Sequence, residues 1–237
     1  NSSSIDEQQV IIKVKNPTLI KLDLENLNKV FNGLFRNSHK INSNGLITLP
    51  LTDGISSTFK LEPNQLMHPD LAKKFPEIMT FNAKGVDDPS LTAKIDITPH
   101  GFHAMIFREG KSTVFIDPYM KNDNTICVCY KKEDFVTAKT MKCSFNGKLD
   151  LLKNKIRQGN SIKSFGTCEL RTYRLALAAT GEYTAYHGGT VALAQAAQVT
   201  TMNRVNGIYE RDMAITMQII PNNNLIIYTN STTVVVF

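Results

Sequence analysis

His100-Gly101-Phe102-His103 sets two imidazoles three residues apart, a spacing that a turn can fold into neighbours and a metal ion could bridge. No third ligand follows at useful spacing, and turn or strand histidines are ordinarily solvated or half-buried, so metal binding is not the expected role. Four cysteines, Cys127, Cys129, Cys143 and Cys168, allow three full pairings, and their spacing does not choose among them. Cys127 and Cys129 fall two apart in an expected strand, so they share a face and are not expected to bond to each other. No CxxC pair of the zinc type occurs; buried thiols with at most one disulfide are expected. Asp87-Asp88-Pro89 and Asp117-Pro118 read as turn starters, because Asp accepts local backbone hydrogen bonds and Pro fixes φ. Gly188-Gly189 ahead of a helix is a weak phosphate cradle without GxGxxG or GK[ST], so close helix-to-strand packing is the expected reason for it. GxSxG is absent.

A chain of 237 residues can bury a core, and 42% hydrophobic with 20% charged residues excludes disorder, collagen and a disulfide-dense miniprotein. No apolar run approaches the roughly 20 residues of a membrane-spanning helix. The net charge of +6 is local: residues 139–163 carry seven Lys or Arg against the single Asp150, whereas both flanking stretches balance. That basic run contains Gly147, Gly159 and Asn160 and reads as a linker. All 20 Lys precede residue 168, while Ala shifts from five before to nine after it. The expected organisation is therefore a unit over 1–150, a basic cleavable linker over 151–167 and a second unit over 168–237. Nucleic-acid binding is disfavoured, because the charge sits in the linker and no aromatic residue lies between Phe145 and Phe165 for base stacking. The start Asn1-Ser2-Ser3-Ser4 lacks Met and a signal core, as expected of a processed product.

The first unit reads as an antiparallel meander. Val10–Lys15 and Thr18–Leu22 are short strands, and Leu24, Leu27, Phe31 and Leu34 recur at helical spacing behind an Asp23 N-cap. Leu46–Leu51 and Ser57–Leu61 flank Asp53-Gly54, a hairpin signal, and a short helical stretch is expected near Asp70–Phe75. Thr92–Ile97, Phe102–Phe107, Thr113–Ile116 and Thr125–Tyr130 alternate with connections too short for anything but antiparallel pairing. In the second unit a strand over Leu170–Ala179 precedes a helix opened by Gly188-Gly189-Thr190, with an apolar stripe of Val191, Val199, Met202 and Val205 and with Gly207 placed to end it. Strands are expected at Met213–Ile220 and Leu225–Tyr228, giving a βαβ unit that needs further layers. The fold class is α+β: a β-rich antiparallel unit followed by βαββ.

CELRTYRLALAATGEYT from Cys168, then His187-Gly188-Gly189-Thr190, TTMNRVNGIYERDMAI from Thr200 and LIIYTN from Leu225 resemble the opening of the catalytic domain in secreted bacterial reprolysin-like zinc metalloproteases, the adamalysin-type metzincins. Phe75-Pro76-Glu77-Ile78, Gly85-Val86-Asp87-Asp88-Pro89, Gly101–Ile106 and Ile116-Asp117-Pro118-Tyr119 resemble the pro-region of those enzymes. The resemblance implies a secreted zymogen: pro-region, a linker cut by an activating protease, and the start of a catalytic domain acting on protein or peptide substrates. It also implies zinc in the full-length protein. The family's HExxHxxGxxH helix and Met-turn do not occur in these 237 residues, and Ser231–Phe237 departs from the family pattern, so this chain is expected to bind no zinc and to hydrolyse no peptide alone. No catalytic residue is therefore expected within it. Cys143, near Lys139, Lys142 and Lys148, is the candidate latency ligand for the zinc; a buried thiol or a disulfide to Cys168 is the other reading. The alternative function is a stand-alone protease-inhibitory or surface-binding module without enzymatic activity.

Overall fold

A computed structural model describes residues 9–35, 45–121, 123–137 and 169–230. The described residues up to Val136 and from Leu170 onward group into one compact unit; a second grouping, Thr137–Glu169, lies almost wholly outside the described residues. The first expected strand, Val10–Lys15, is reduced to isolated bridges of Val10 with Met120 and Val14 with Phe135. Strand β1 (Thr18–Lys21) leads into helix α1 (Leu24–Phe35), and the hairpin β2 (Leu46–Pro50) and β3 (Ser56–Pro63) turns at Gly54, which sits at a φ of +76°. After helix α2 (Pro69–Ala72) come β4 (Met79–Gly85), β5 (Thr92–Thr98), β6 (Gly101–Phe107), β7 (Val114–Met120) and β8 (Asp123–Lys131). The eight strands form one antiparallel sheet in the order β1-β8-β7-β6-β5-β4-β3-β2, the expected meander with β1 returned to its far edge.

Helix α1 starts where Asp23 accepts a hydrogen bond from the Asn26 N–H at 3.0 Å, the N-cap read from the sequence. It lays Phe31 into the core of one sheet face, where the ring stacks on Phe81 at 4.7 Å and lies 6.4 Å from Phe102. Ile47, Phe59, Ile95, Ile106, Ile116, Cys127 and Cys129 complete that core. The two cysteines are free and share the buried face, as their spacing predicts. Strand β4 adds an element to the expected set: Met79, Phe81 and Ala83 face inward and Asn82 and Lys84 outward, a period-2 alternation that includes residues of low strand propensity. Asp117-Pro118 is no turn but lies inside β7, where Pro118 sits beside a register shift against β8 that accommodates its missing N–H. Asp88 does start a turn, accepting from the Ser90 N–H at 3.0 Å and its hydroxyl at 2.6 Å.

Strand β9 (Arg171–Leu175), helix α3 (Gly181–Tyr186), helix α4 (Val191–Met213) and strand β10 (Ile215–Ile219) follow. β9 and β10 pair in parallel across the intervening helices, the expected βαβ connection. Gly188 and Gly189 have φ of +106° and +81°, so the pair serves a turn that L side chains rarely adopt, and a Cβ at Gly188 would also stand 2.6 Å from Leu193 Cδ1 of the following helix, whereas Gly189 has open space. Gly207 does not end α4. A Cβ there would stand 2.9 Å from Lys94 Cγ and 3.0 Å from the Phe107 ring, so the glycine lets the helix approach the sheet, and the helix ends instead at Ala214 in the left-handed conformation. The third expected strand is a 3₁₀ turn at Asn223–Ile226 with a single bridge from Ile227 to Ala179. Buried Asn223 causes this: its amide donates to Gln195 and Gln198 of α4 at 3.1 and 2.9 Å and accepts from the Leu177 N–H at 2.7 Å, which draws the chain into a turn.

Candidate functional site

Strands β5, β6 and β7 alternate apolar and polar residues, and the apolar set, Ala93, Ile95, Phe102, Ile106 and Ile116, faces α1. The polar set, Lys94, Asp96, His103 and Asp117, would face water in a half-buried sheet. Here α4 covers it. Thr200, Asn203, Arg204, Gly207 and Glu210 recur at three- and four-residue spacing, one stripe of the helix, and seat on that polar face.

At the centre Asp96, 1% exposed, accepts from Thr200 Oγ1 at 2.7 Å, Asn203 Nδ2 at 3.1 Å and His103 Nδ1 at 3.1 Å. Burial alone would push its carboxyl pKa up, but His103, Thr200 and the charge of Arg204 outweigh that and hold it below the ordinary range. Beside it Asp117 accepts from the Tyr130 hydroxyl at 2.8 Å and from Arg204 Nη2, and the Arg204 guanidinium stands 5.3 Å over the Phe115 ring. Burial and the adjacent Asp117 push the Tyr130 phenol far up, so it stays a donor. Farther along the helix the buried Lys94 ammonium donates to Asn82 Oδ1 and Glu210 Oε2, both at 2.6 Å. Glu210 accepts a further bond from Thr216 Oγ1 at 2.8 Å.

A groove of about 950 Å³ opens at the N-terminal end of α4, lined among others by His100, His103, Tyr186, His187 and Leu193. The two histidines of the sequence motif do different things in it. His100 Nε2 lies 2.8 Å from the Leu193 carbonyl, whereas His103 is tied to Asp96. His187 packs against Tyr183, Tyr186 and His100 at ring separations of 4.4, 4.9 and 5.8 Å. Burial, with the neighbouring His100, lowers the His187 pKa and favours its neutral form. Among the described residues no group of three or more His, Cys, Asp or Glu could hold a metal ion. Nor is there a nucleophilic triad here, because the Thr200 hydroxyl donates to the Asp96 carboxylate and not to the imidazole. The arrangement does binding work: it joins α4 to the sheet. Cys143 and Cys168 lie outside the described residues.

Asp96, Asp117, Thr200, Asn203 and Arg204 were not singled out as site residues in the sequence. The available signal was the polar i, i+3, i+4, i+7 stripe around Gly207, on the side of α4 away from its apolar stripe.

Residues 169–236 match the family model for reprolysin-like metallopeptidases of family M12B. That family is zinc-dependent, so the stretch holding β9, α3, α4 and β10 is metallopeptidase-related. No curated protein matches the chain. Among the described residues no helix is long and apolar enough to cross a membrane.

Proposed function

We propose that the chain comprises the pro-region and the opening of the catalytic domain of a secreted zinc metalloendopeptidase precursor of reprolysin type. The sheet unit keeps the catalytic segment latent, and activation begins when an activating protease cuts the linker over 151–167. One observation carries this reading: the stretch that matches the family is clasped along α4 by a sheet that lies wholly outside the match. The exposed side chains of β9, Tyr173 among them, support it further, since they offer a surface on which more of a catalytic domain could build. Hydrolysis itself belongs to a polypeptide that also carries HExxHxxGxxH, which supplies two histidines one helical turn apart, a third histidine and a glutamate base for a metal-activated water. Cys143 is proposed as the group that occupies the open metal position in the precursor.

The test uses the full-length precursor with a protein substrate. Cleavage within 151–167 followed by removal of the sheet unit should raise hydrolysis by at least about tenfold, a chelator should abolish it, and Cys143→Ser should raise the activity of the uncut form. Equal activity in the uncut precursor and after cleavage with removal of the sheet unit would overturn the latent-precursor reading. Unchanged latency in Cys143→Ser would remove the thiol and leave steric cover by the sheet unit.

A further inference from the structure

Among the described residues, the junction between the sheet unit and the reprolysin-like stretch includes three kinds of contact. The first is strand addition. Residues ahead of α2 run parallel to β10, with the Ile219 N–H donating to the Leu66 carbonyl at 2.8 Å and the His68 N–H donating to the Ile219 carbonyl at 2.9 Å. Gln218 Nε2 donates to the Gln65 carbonyl at 3.1 Å on the same edge. The second is apolar: Leu66, Met67, Leu71, Phe75 and Ile78 share one cluster with Ala196, Val199, Met202 and Ile219. The third is the buried polar array, Asp96 with Thr200 and Asn203, Asp117 with Arg204, and Lys94 with Glu210.

We infer that the sheet unit is a long-lived non-covalent partner of the reprolysin-like segment: it stays bound after the linker is severed, and the Asp117–Arg204 pair sets how long. Strand addition and the apolar cluster supply the attraction, because parting the two pieces would expose a strand edge and large apolar side chains together. The polar array supplies the dwell time. Losing one partner of a buried, hydrogen-bonded charge pair leaves the other uncompensated, an effect that acts mainly on the dissociation rate. The array also makes eventual separation tolerable for both pieces, since Thr200, Asn203, Arg204 and Glu210 on one side and Lys94, Asp96 and Asp117 on the other are groups that water can solvate. Cutting the linker is then a licensing step, and release requires a second event on the sheet unit.

The biological sense of this inference rests on the latent-precursor reading, but its test needs no peptidase activity, so either can fail without the other. A site-specific protease sequence is placed between Lys153 and Asn154 of the full chain, the folded protein is nicked, and co-elution of the fragments is followed by size-exclusion chromatography after dilution. The wild-type fragments should co-elute. Asp117→Asn, which keeps an acceptor for Tyr130 but removes the charge, should speed separation roughly a hundredfold, and Glu210→Gln, at the more exposed end of the array, roughly tenfold. Lys29→Ala, in the exposed Lys29–Glu25 pair on α1, should leave it unchanged. Circular dichroism before nicking confirms that each variant is folded; if Asp117→Asn is not, Glu210→Gln carries the comparison. Immediate separation of the wild-type fragments would overturn the inference. Separation of folded charge variants at the wild-type rate would overturn the role of the polar pair.

Discussion

Asp96 shows how a residue's role can be set from outside its own element. Its strand alternates Lys94, Asp96 and Thr98 with Ala93, Ile95 and Ile97, the pattern of a strand wet on one side, yet all of these are buried because α4 covers the polar face. The carboxylate is held below its ordinary pKa of 3.8, so its contribution is fully present above that value and is lost as pH falls through the lowered one. Asp96→Asn should therefore destabilise the chain at neutral pH by about 2–4 kcal/mol, through loss of a buried charge hydrogen-bonded to three partners. The gap between wild type and variant should narrow as pH falls below about 4. Urea denaturation across that range checks both statements; a gap that stays constant with pH would mean that the charge of Asp96 does not contribute. The same covering explains why Asp117 is misread from sequence: Asp-Pro is a turn signal locally, and the Tyr130 hydroxyl and Arg204, 13 and 87 residues away, make it a buried acceptor.

Among the elements, those whose partners lie nearby in sequence are legible, and those defined by distant packing are not. Helix α1 follows from its Leu24, Leu27, Phe31, Leu34 spacing and Asp23 cap, and the hairpin at Gly54 from Asp-Gly between two apolar runs. Phe31→Ala should lower stability by about 3–5 kcal/mol, since it removes a fully buried ring stacked between Phe81 and Phe102; equilibrium denaturation of the whole chain measures it, and a loss below about 1 kcal/mol would mean that α1 does not anchor the sheet. Helix α4 was legible on its apolar side, where Val199 and Met202 enter the cluster with Leu71 and Ile219. Its polar stripe reads from sequence as a solvated face, because nothing local announces that β5–β7 will cover it. Gly207 misleads for the same reason: a glycine late in a helix resembles a stop, and the Lys94 and Phe107 side chains it must clear come from a sheet far earlier in the chain. The third strand failed on a single side chain, Asn223, whose buried amide turns the chain towards α4.

For the molecule as a whole, composition separates two stretches that the fold brings together. Lysine is confined to the chain before residue 168 and the charge excess to residues 139–163; under the proposed latent-precursor reading, that basic run is where an activating protease would cut. The stretches on either side nevertheless share an apolar cluster, a strand edge and a buried polar array, so the sheet unit is equipped to hold the reprolysin-like segment rather than merely to precede it. The central claim is that these 237 residues work as part of a zinc metalloendopeptidase precursor, and intact mass together with zinc content of the protein isolated from its natural source tests it most directly. The account predicts a precursor well above the 26.5 kDa of this chain, carrying about one zinc per molecule. A folded, zinc-free protein of 26.5 kDa would contradict it and favour a stand-alone inhibitory or binding module.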